Sequence, residues 1–298
     1  MKVIEHKYHK IKALGDDENK DLLLFPDDEI VIEEKLDGAN FRFIIKDGVL
    51  YFGTHTNDIT PESEKDWLRC MNFIRSTIKL DNIREGLIYY GECMKKHTMS
   101  YDWENTPPFL GFDIMDIKTE KYLSHPWEQF EYINLPFVPI KRITIASAIE
   151  LPITDDYVPV SKYSLMQAEG IVLKNYTRQI FAKYVRQEFK EKNSEVFGKN
   201  KKRATNDNDY FVSAYYTNAR IQKQVFKLID EGEKLSVELM HVLPRRVYMD
   251  IWEEEWRELA KSKKTYNFAE IQKTGAKRVF TVLQNIMQNN LIASKETI

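Results

Sequence analysis

Residues 29–55 read EIVIEEKLDGANFRFIIKDGVLYFGTH. Two apolar, β-branched runs flank Lys35-Leu36-Asp37-Gly38, and the pair Asp47-Gly48 separates the second run from a third. Runs of this kind favour strands, and an Asp-Gly pair between two of them is a strong hairpin signal. The stretch therefore predicts three strands joined by sharp turns, with a lysine at the first turn. A lysine there is either a solvated surface residue or a nucleophile at the mouth of a nucleotide pocket.

The same texture continues outward to about residue 185. EGLIYYGEC (85–93), PPFLGFDIMDI (107–117) and EGIVLKNY (169–176) are short runs rich in Ile, Val, Phe and Tyr. Between them SEKDWLRCMNFIRSTIKL (63–80) has helical spacing, with Trp67, Met71, Ile74 and Ile78 on one face, and SHPWEQFEYINL (124–135) reads as a second helix. After residue 205 the period becomes helical throughout. Ile221, Val225, Leu228 and Ile229 form one stripe, and Leu235, Leu239, Val242 and Leu243 a second. Pro244 opens a third helix with Ile251, Trp252, Trp256 and Leu259 on its stripe, and residues 267–290 form a fourth. The expected fold is α+β: an antiparallel-sheet domain at 1–190, a basic linker at 191–204 and an all-α domain at 205–298.

Totals narrow the function classes. The 298 residues are 43% apolar and 12% aromatic, a globular composition with room for two cores. A net charge of −2 gives no global attraction to polyanions, so any such contact rests on local patches. Cys70 and Cys93 have no zinc spacing and suit a reducing compartment. The N-terminal MKVIEHKYHKIKAL has no signal-peptide core, and no apolar run approaches the ~18 residues that span a bilayer. A soluble, cytoplasmic monomer is expected.

The charged residues inside the strands carry the chemistry. Glu92 in YYGEC, Asp113 in FLGFDIM, Glu169 and Lys174 in EGIVLK, and Lys183 in FAKYV each stand in an apolar context. A buried charge of this kind is costly unless it meets a ligand, a metal or a partner. With Lys35-Leu36-Asp37-Gly38, Gly91-Glu92, Phe112-Asp113-Ile114, Glu169 to Lys174 and Lys183 in this order, residues 30–186 resemble the covalent nucleotidyltransferases, the superfamily of ATP-dependent ligases and capping enzymes. The helical C-terminal third, where DNA ligases and capping enzymes place an OB-fold barrel, and Asn40 make the chain most similar to the RNA ligases, including the RNA ligase 2 group. The resemblance implies a ligase-type nucleotidyltransferase domain unrelated to ATP-grasp.

The resemblance also implies roles. Lys35 attacks the α-phosphate of ATP, for which its pKa must fall by about 3 units to become neutral near pH 7. Lys174 and Lys183 are the expected cations near the phosphates, completing a catalytic set with Glu169. The nucleotide is expected to meet Glu34, Asp37, Gly38, Asn40, His55 and Glu92, with Phe112 stacked on the adenine and Val172 on its other face. Glu169 and Asn40, the latter through water, are the expected contacts of Mg2+ or Mn2+. Two places depart from the pattern: His55 stands near the position of an arginine in many relatives, as phosphate contact or structural residue, and Val185 replaces a second lysine, a gap that Arg186 or a residue from elsewhere would fill. RNA bearing 5′-phosphate and 3′-hydroxyl ends is the expected partner. Arg186, Lys190, Lys201, Lys202 and Arg203 are its expected contacts, within a stretch of seven cations and three glutamates at 186–203. Lys95, Lys96 and His97 beside Tyr101 and Trp103 are a further candidate patch. The competing readings are DNA nick sealing, GTP-dependent capping and, from another class, a catalytically silent RNA-binding protein.

Overall fold

The computed structural model of the protein describes residues 3–95, 99–144, 153–186 and 206–293. The chain divides into two compact units, Met1–Gln187 and Glu188–Ile298.

Unit 1 is built on two five-stranded sheets. The first has the order β1 (Lys12–Ala13), β10 (Ile180–Val185), β9 (Gly170–Asn175), β2 (Glu29–Lys35), β8 (Ile140–Thr144). The second runs β4 (Val49–Thr54), β3 (Ala39–Lys46), β5 (Leu87–Cys93), β6 (Phe109–Asp116), β7 (Lys121–Tyr122). Pairing is antiparallel except where β1 lies parallel to β10. The expected hairpin is present: β3 and β4 close at Lys46↔Val49, with Asp47 and Gly48 both at positive φ (51° and 73°), as a type I′ turn requires.

The turn at Lys35 does something else. β2 and β3 do not pair; they lie in different sheets, so Leu36, Asp37 and Gly38 carry the chain from one sheet to the other. Alternation along a strand gives each sheet an outer and an inner face. On the second sheet the outer face bears Phe41, Phe43, Tyr89 and Phe109. It is covered by Trp67, Cys70, Met71 and Ile74 from α1 (Leu68–Thr77) and the turn before it, and by Phe130 of α2 (Pro126–Tyr132). The four residues expected on one face of α1's segment, Trp67, Met71, Ile74 and Ile78, are all buried, each contributing on the order of 1.5–3 kcal/mol. The outer face of the first sheet buries Ile30, Ile32, Ile171, Leu173 and Ala182 with Leu22 and Val158. Both inner faces therefore keep their polar residues, and these meet one another.

Unit 2 is helical: α3 (Asp207–Tyr215), α4 (Asn218–Asp230), α5 (Leu243–Lys261) and α6 (Phe268–Ala293), around Phe211, Tyr216, Ile221, Val225, Leu243, Val247, Ile251 and Leu283. Asn206 and Thr217 cap α3 and α4 through hydrogen bonds to Asp209 N and Arg220 N. Two expectations shift. The Leu235–Leu243 stripe is only a short 3₁₀ turn, Val237–His241, before α5. Trp256 is 47% exposed while Ile251 and Leu259 are buried, because the core stripe of α5 is narrower than the apolar pattern. Among the described residues no helix is long and apolar enough to cross a membrane.

Candidate active site

β2 places Lys35 at its last position, and the β2–β9 register sets Lys35 opposite Gly170, so Glu169 arrives beside it. Lys35 Nζ lies 2.6 Å from Glu169 Oε2. The registers of β2, β9 and β10 form three rows across the inner face: Lys35–Gly170–Val185, Glu33–Val172–Lys183 and Val31–Lys174–Phe181. The glycine at 38 is needed for close approach, since a Cβ there would meet Cys93 O at 2.6 Å and Glu92 Cγ at 2.9 Å. That approach lets Gly38 N donate to Glu92 Oε1 at 2.9 Å. Lys35, Asp37, Gly38, Glu92 and Glu169 are thus brought together.

The electrostatics run against the simple expectation of a depressed lysine. Burial lowers the Lys35 pKa, but Glu169, Asp37 and Glu92 outweigh it and hold the group above an ordinary lysine. With only the chain's own residues around it, Lys35 is an ammonium. Glu34, on the other face of β2, is buried, accepts a hydrogen bond from Lys162 N at 3.2 Å and has its pKa raised by burial.

Lys174 sits deeper, with 1% of its side chain exposed. Its Nζ reaches Glu33 Oε2 at 2.6 Å, Asp113 Oδ2 at 2.7 Å and Phe112 O at 3.2 Å. A β-bulge explains this convergence: the β5–β6 register slips so that Tyr90 faces Asp113 and Gly91 faces Gly111, leaving Phe112 as the extra residue. Both Phe112 and Asp113 then reach the inner side; Lys174 Nζ stands 5.3 Å from the centre of the Phe112 ring. Asp113 is the hub, accepting also from Tyr8 and Tyr176 hydroxyls. Lys174 is therefore engaged with the two buried carboxylates Glu33 and Asp113. Phe112 is half-buried, with Tyr8 against it edge-on at 4.9 Å.

Burial, together with Asp113 and against Lys174, raises the Glu33 pKa to about 7. A carboxyl whose folded pKa is raised favours the folded chain at low pH and loses that advantage as pH rises toward the folded value. Relative to Glu33→Gln, the wild type is expected to lose stability between about pH 4.5 and pH 7, the span from the ordinary to the folded pKa. Parallel melting curves of the two chains across that range check this, and parallel slopes would refute it.

The remaining expected residues fall in different places. Val172 and Lys183 are neighbours in the second row, and Val185 sits in the row of Lys35. Asn40 lies on β3 opposite Glu92, and its Oδ1 is buried with no hydrogen-bond partner among the described residues. His55 is half-buried, and its carbonyl accepts from Arg42, a guanidinium with no exposed surface. Arg186 corrects an expectation: it is 3% exposed, and its guanidinium donates to Ala168 O, Gln167 Oε1 and Gln167 O, so it is no exposed contact for RNA. Lys190, Lys201, Lys202, Arg203, Lys96, His97 and the linker at 191–204 lie outside the described residues.

The motif reading left Glu33 without a role and named Asp113 only as part of a motif. Each announces itself as a carboxylate in an apolar strand. Tyr8 and Tyr176 carry no such signal. A shallow cavity of about 320 Å3 lined by Arg84–Leu87 and Asp116–Lys118 lies at the opposite end of β5 and β6 from Glu92 and holds none of these residues.

Among solved structures the chain is similar to Naegleria gruberi RNA ligase with PPi, at 17% identity and a TM-score of 0.48, covering 64% of this chain and 58% of that one. It is likewise similar to a lysine-to-alanine mutant of that enzyme with ATP and Mn, at 16% identity and a TM-score of 0.46, covering 64% and 58%. The chain thus spans less than two thirds of the length of these structures. No curated protein matches it. The family model described as RNA ligase matches residues 28–190, more than half of the chain and every motif from Lys35 to Lys183. The chain belongs to the RNA ligase family.

Proposed function

We propose that the protein is an ATP-dependent RNA ligase that works through a lysyl-AMP on Lys35, joins 3′-hydroxyl to 5′-phosphate RNA ends and acts as a monomer. The observation that carries this reading is the contact of Lys35 Nζ with Glu169 at 2.6 Å at the mouth between two sheets, with Glu92 and Asp37 beside it. Lys35 Nζ attacks the α-phosphorus of ATP in line, forming the N–P bond as the bond to pyrophosphate breaks. AMP then passes to the 5′-phosphate of one RNA strand, and the 3′-hydroxyl of the other displaces AMP.

The site's own residues fit a divalent cation. Asn40 Oδ1 is buried and has no hydrogen-bond partner among the described residues, and Glu169 offers a carboxylate, both hard oxygen donors of the kind Mg2+ and Mn2+ take. Among the described residues no three His, Cys, Asp or Glu side chains gather to hold an ion by themselves, a pattern in keeping with Mg2+ sites that share the ion with substrate phosphates. Such a cation would supply positive charge that offsets Glu169 and lowers the Lys35 pKa. Glu169 orients the amine. Lys183, in the row next to Lys35, is the expected cation for the phosphates.

Incubation with α-labelled ATP or α-labelled GTP and Mg2+ or Mn2+, followed by a denaturing gel, tests the first step. Covalent label from ATP and not GTP is the expected result, and conversion of 5′-phosphate RNA to sealed product the next. Absence of label from either nucleotide, after bound AMP is removed, would refute the proposal.

A further inference from the structure

The turn that carries Lys35 is held by a residue outside the motifs. Leu36, Asp37 and Gly38 must cross between sheets, so no ladder partner fixes them. Asp37 N instead donates to the Tyr101 hydroxyl at 2.8 Å, and Asp37 Oδ2 accepts from Met99 N at 2.7 Å. These two bonds run in opposite senses between the same pair of segments and tie the turn to residues 99–101. Tyr101 is 5% exposed and its ring packs edge-on against Trp103 at 5.7 Å.

The same segment is tied back to the nucleophile's strand by a second route. Asp102 N donates to Tyr163 O at 2.8 Å, and the adjacent Lys162 N donates to Glu34 Oε2 at 3.2 Å. Glu34 immediately precedes Lys35. A closed circuit therefore runs from Glu34 through Lys162 and Tyr163 to Asp102 and Tyr101, then to Asp37, with Lys35 between its two ends. Burial, and after it Asp37, Glu34 and Glu169, raise the Tyr101 pKa far above an ordinary phenol, so the hydroxyl stays protonated at working pH.

We propose that Tyr101 is a positioning residue for Lys35: its hydroxyl accepts the Asp37 N–H and aims the amine along the line of attack. This rests on the reading of Lys35 as the nucleophile. In-line attack tolerates little misalignment, and a displacement of about 1 Å costs up to ~100-fold. Removing the hydroxyl takes away the acceptor of the part-buried Asp37 N–H and leaves the turn to its bonds with Met99 N and Glu92.

Tyr101→Phe keeps the ring and removes the acceptor. With α-labelled ATP in single turnover, its labelling rate at saturating ATP is expected to fall about 10- to 100-fold with KM for ATP little changed, the split that marks lost alignment rather than lost binding. Hydrogen exchange at residues 36–38 should accelerate more than in the rest of unit 1; this arm reads the turn even if the variant is less stable. A wild-type labelling rate in the variant, a rise in KM alone, or a loss that merely tracks the folded fraction overturns the proposal. If the wild type itself takes no label, the parent reading falls and this one with it.

Discussion

Replacing Lys35 by alanine is expected to abolish covalent labelling by α-labelled ATP, a loss on the order of 10⁴-fold or more, because among the described residues neither Lys183 nor Lys174 stands at the same place. Lys183 is two strands and one row away, about 12 Å between Cα positions by strand geometry. Lys174 is one strand and two rows away, about 14 Å, and its nitrogen is engaged with Glu33 and Asp113. Lys35→Arg is expected to fail equally, since a guanidinium remains charged and is a poor nucleophile. Both variants should keep their fold, because the Lys35–Glu169 pair lies at a partly exposed edge and supports no core. In the wild type, labelling is expected to climb with pH toward the Lys35 pKa of the loaded site, since the neutral amine is the attacking form and Glu169, Asp37 and Glu92 favour the ammonium. Gel labelling beside a circular-dichroism melt separates these outcomes. Label on Lys35→Ala would place the nucleophile elsewhere.

The second large effect concerns stability. Asp113 accepts from Lys174, Tyr8 and Tyr176, and both it and Lys174 are almost wholly buried. Asp113→Ala strands a buried ammonium with Glu33 as its remaining carboxylate and leaves two phenols without an acceptor. Breaking a buried pair in this way costs about 3–5 kcal/mol. For a unit of this size that lowers the melting midpoint by roughly 6–20 °C. Asp113→Asn preserves the shape and part of the acceptor capacity, so a smaller drop is expected. A melt of Asp113→Ala within a few degrees of the wild type would mean that Lys174 is not held by this network.

Several parts of this structure are legible in the residues alone. The Asp47-Gly48 hairpin, the buried face of α1 and the helical second unit follow from turn chemistry and periodicity. Lys35, Glu92, Glu169 and Lys183 are visible because strand-like context makes an isolated charge expensive. The limits of that logic are equally physical. Alternation tells which face a residue is on but not which strand lies beside it, so β2 and β3, adjacent in sequence, give no sign that they join different sheets. The bulge at Phe112 depends on a register that only pairing with β5 defines. Arg186 looks like a free cation because its acceptors are carbonyls and an amide of Gln167 and Ala168, groups with no charge pattern. Tyr101 and Tyr8 act through a single hydroxyl each, which hydropathy cannot distinguish from any core aromatic.

The separation of Lys35 from Glu169, 134 residues along the chain, also bears on synthesis. At about 5–20 residues per second, β2 leaves the ribosome roughly 7–27 s before its central partner β9 does. During that interval β2, with Ile30, Val31 and Ile32, lacks the neighbours that later bury it on both edges, β8 and β9. A nascent chain of this protein therefore carries an unpaired apolar edge until most of unit 1 has been made, and it gains its reactive lysine environment in one late step. Truncated or stalled chains would accordingly expose an adhesive strand while offering no half-built catalyst.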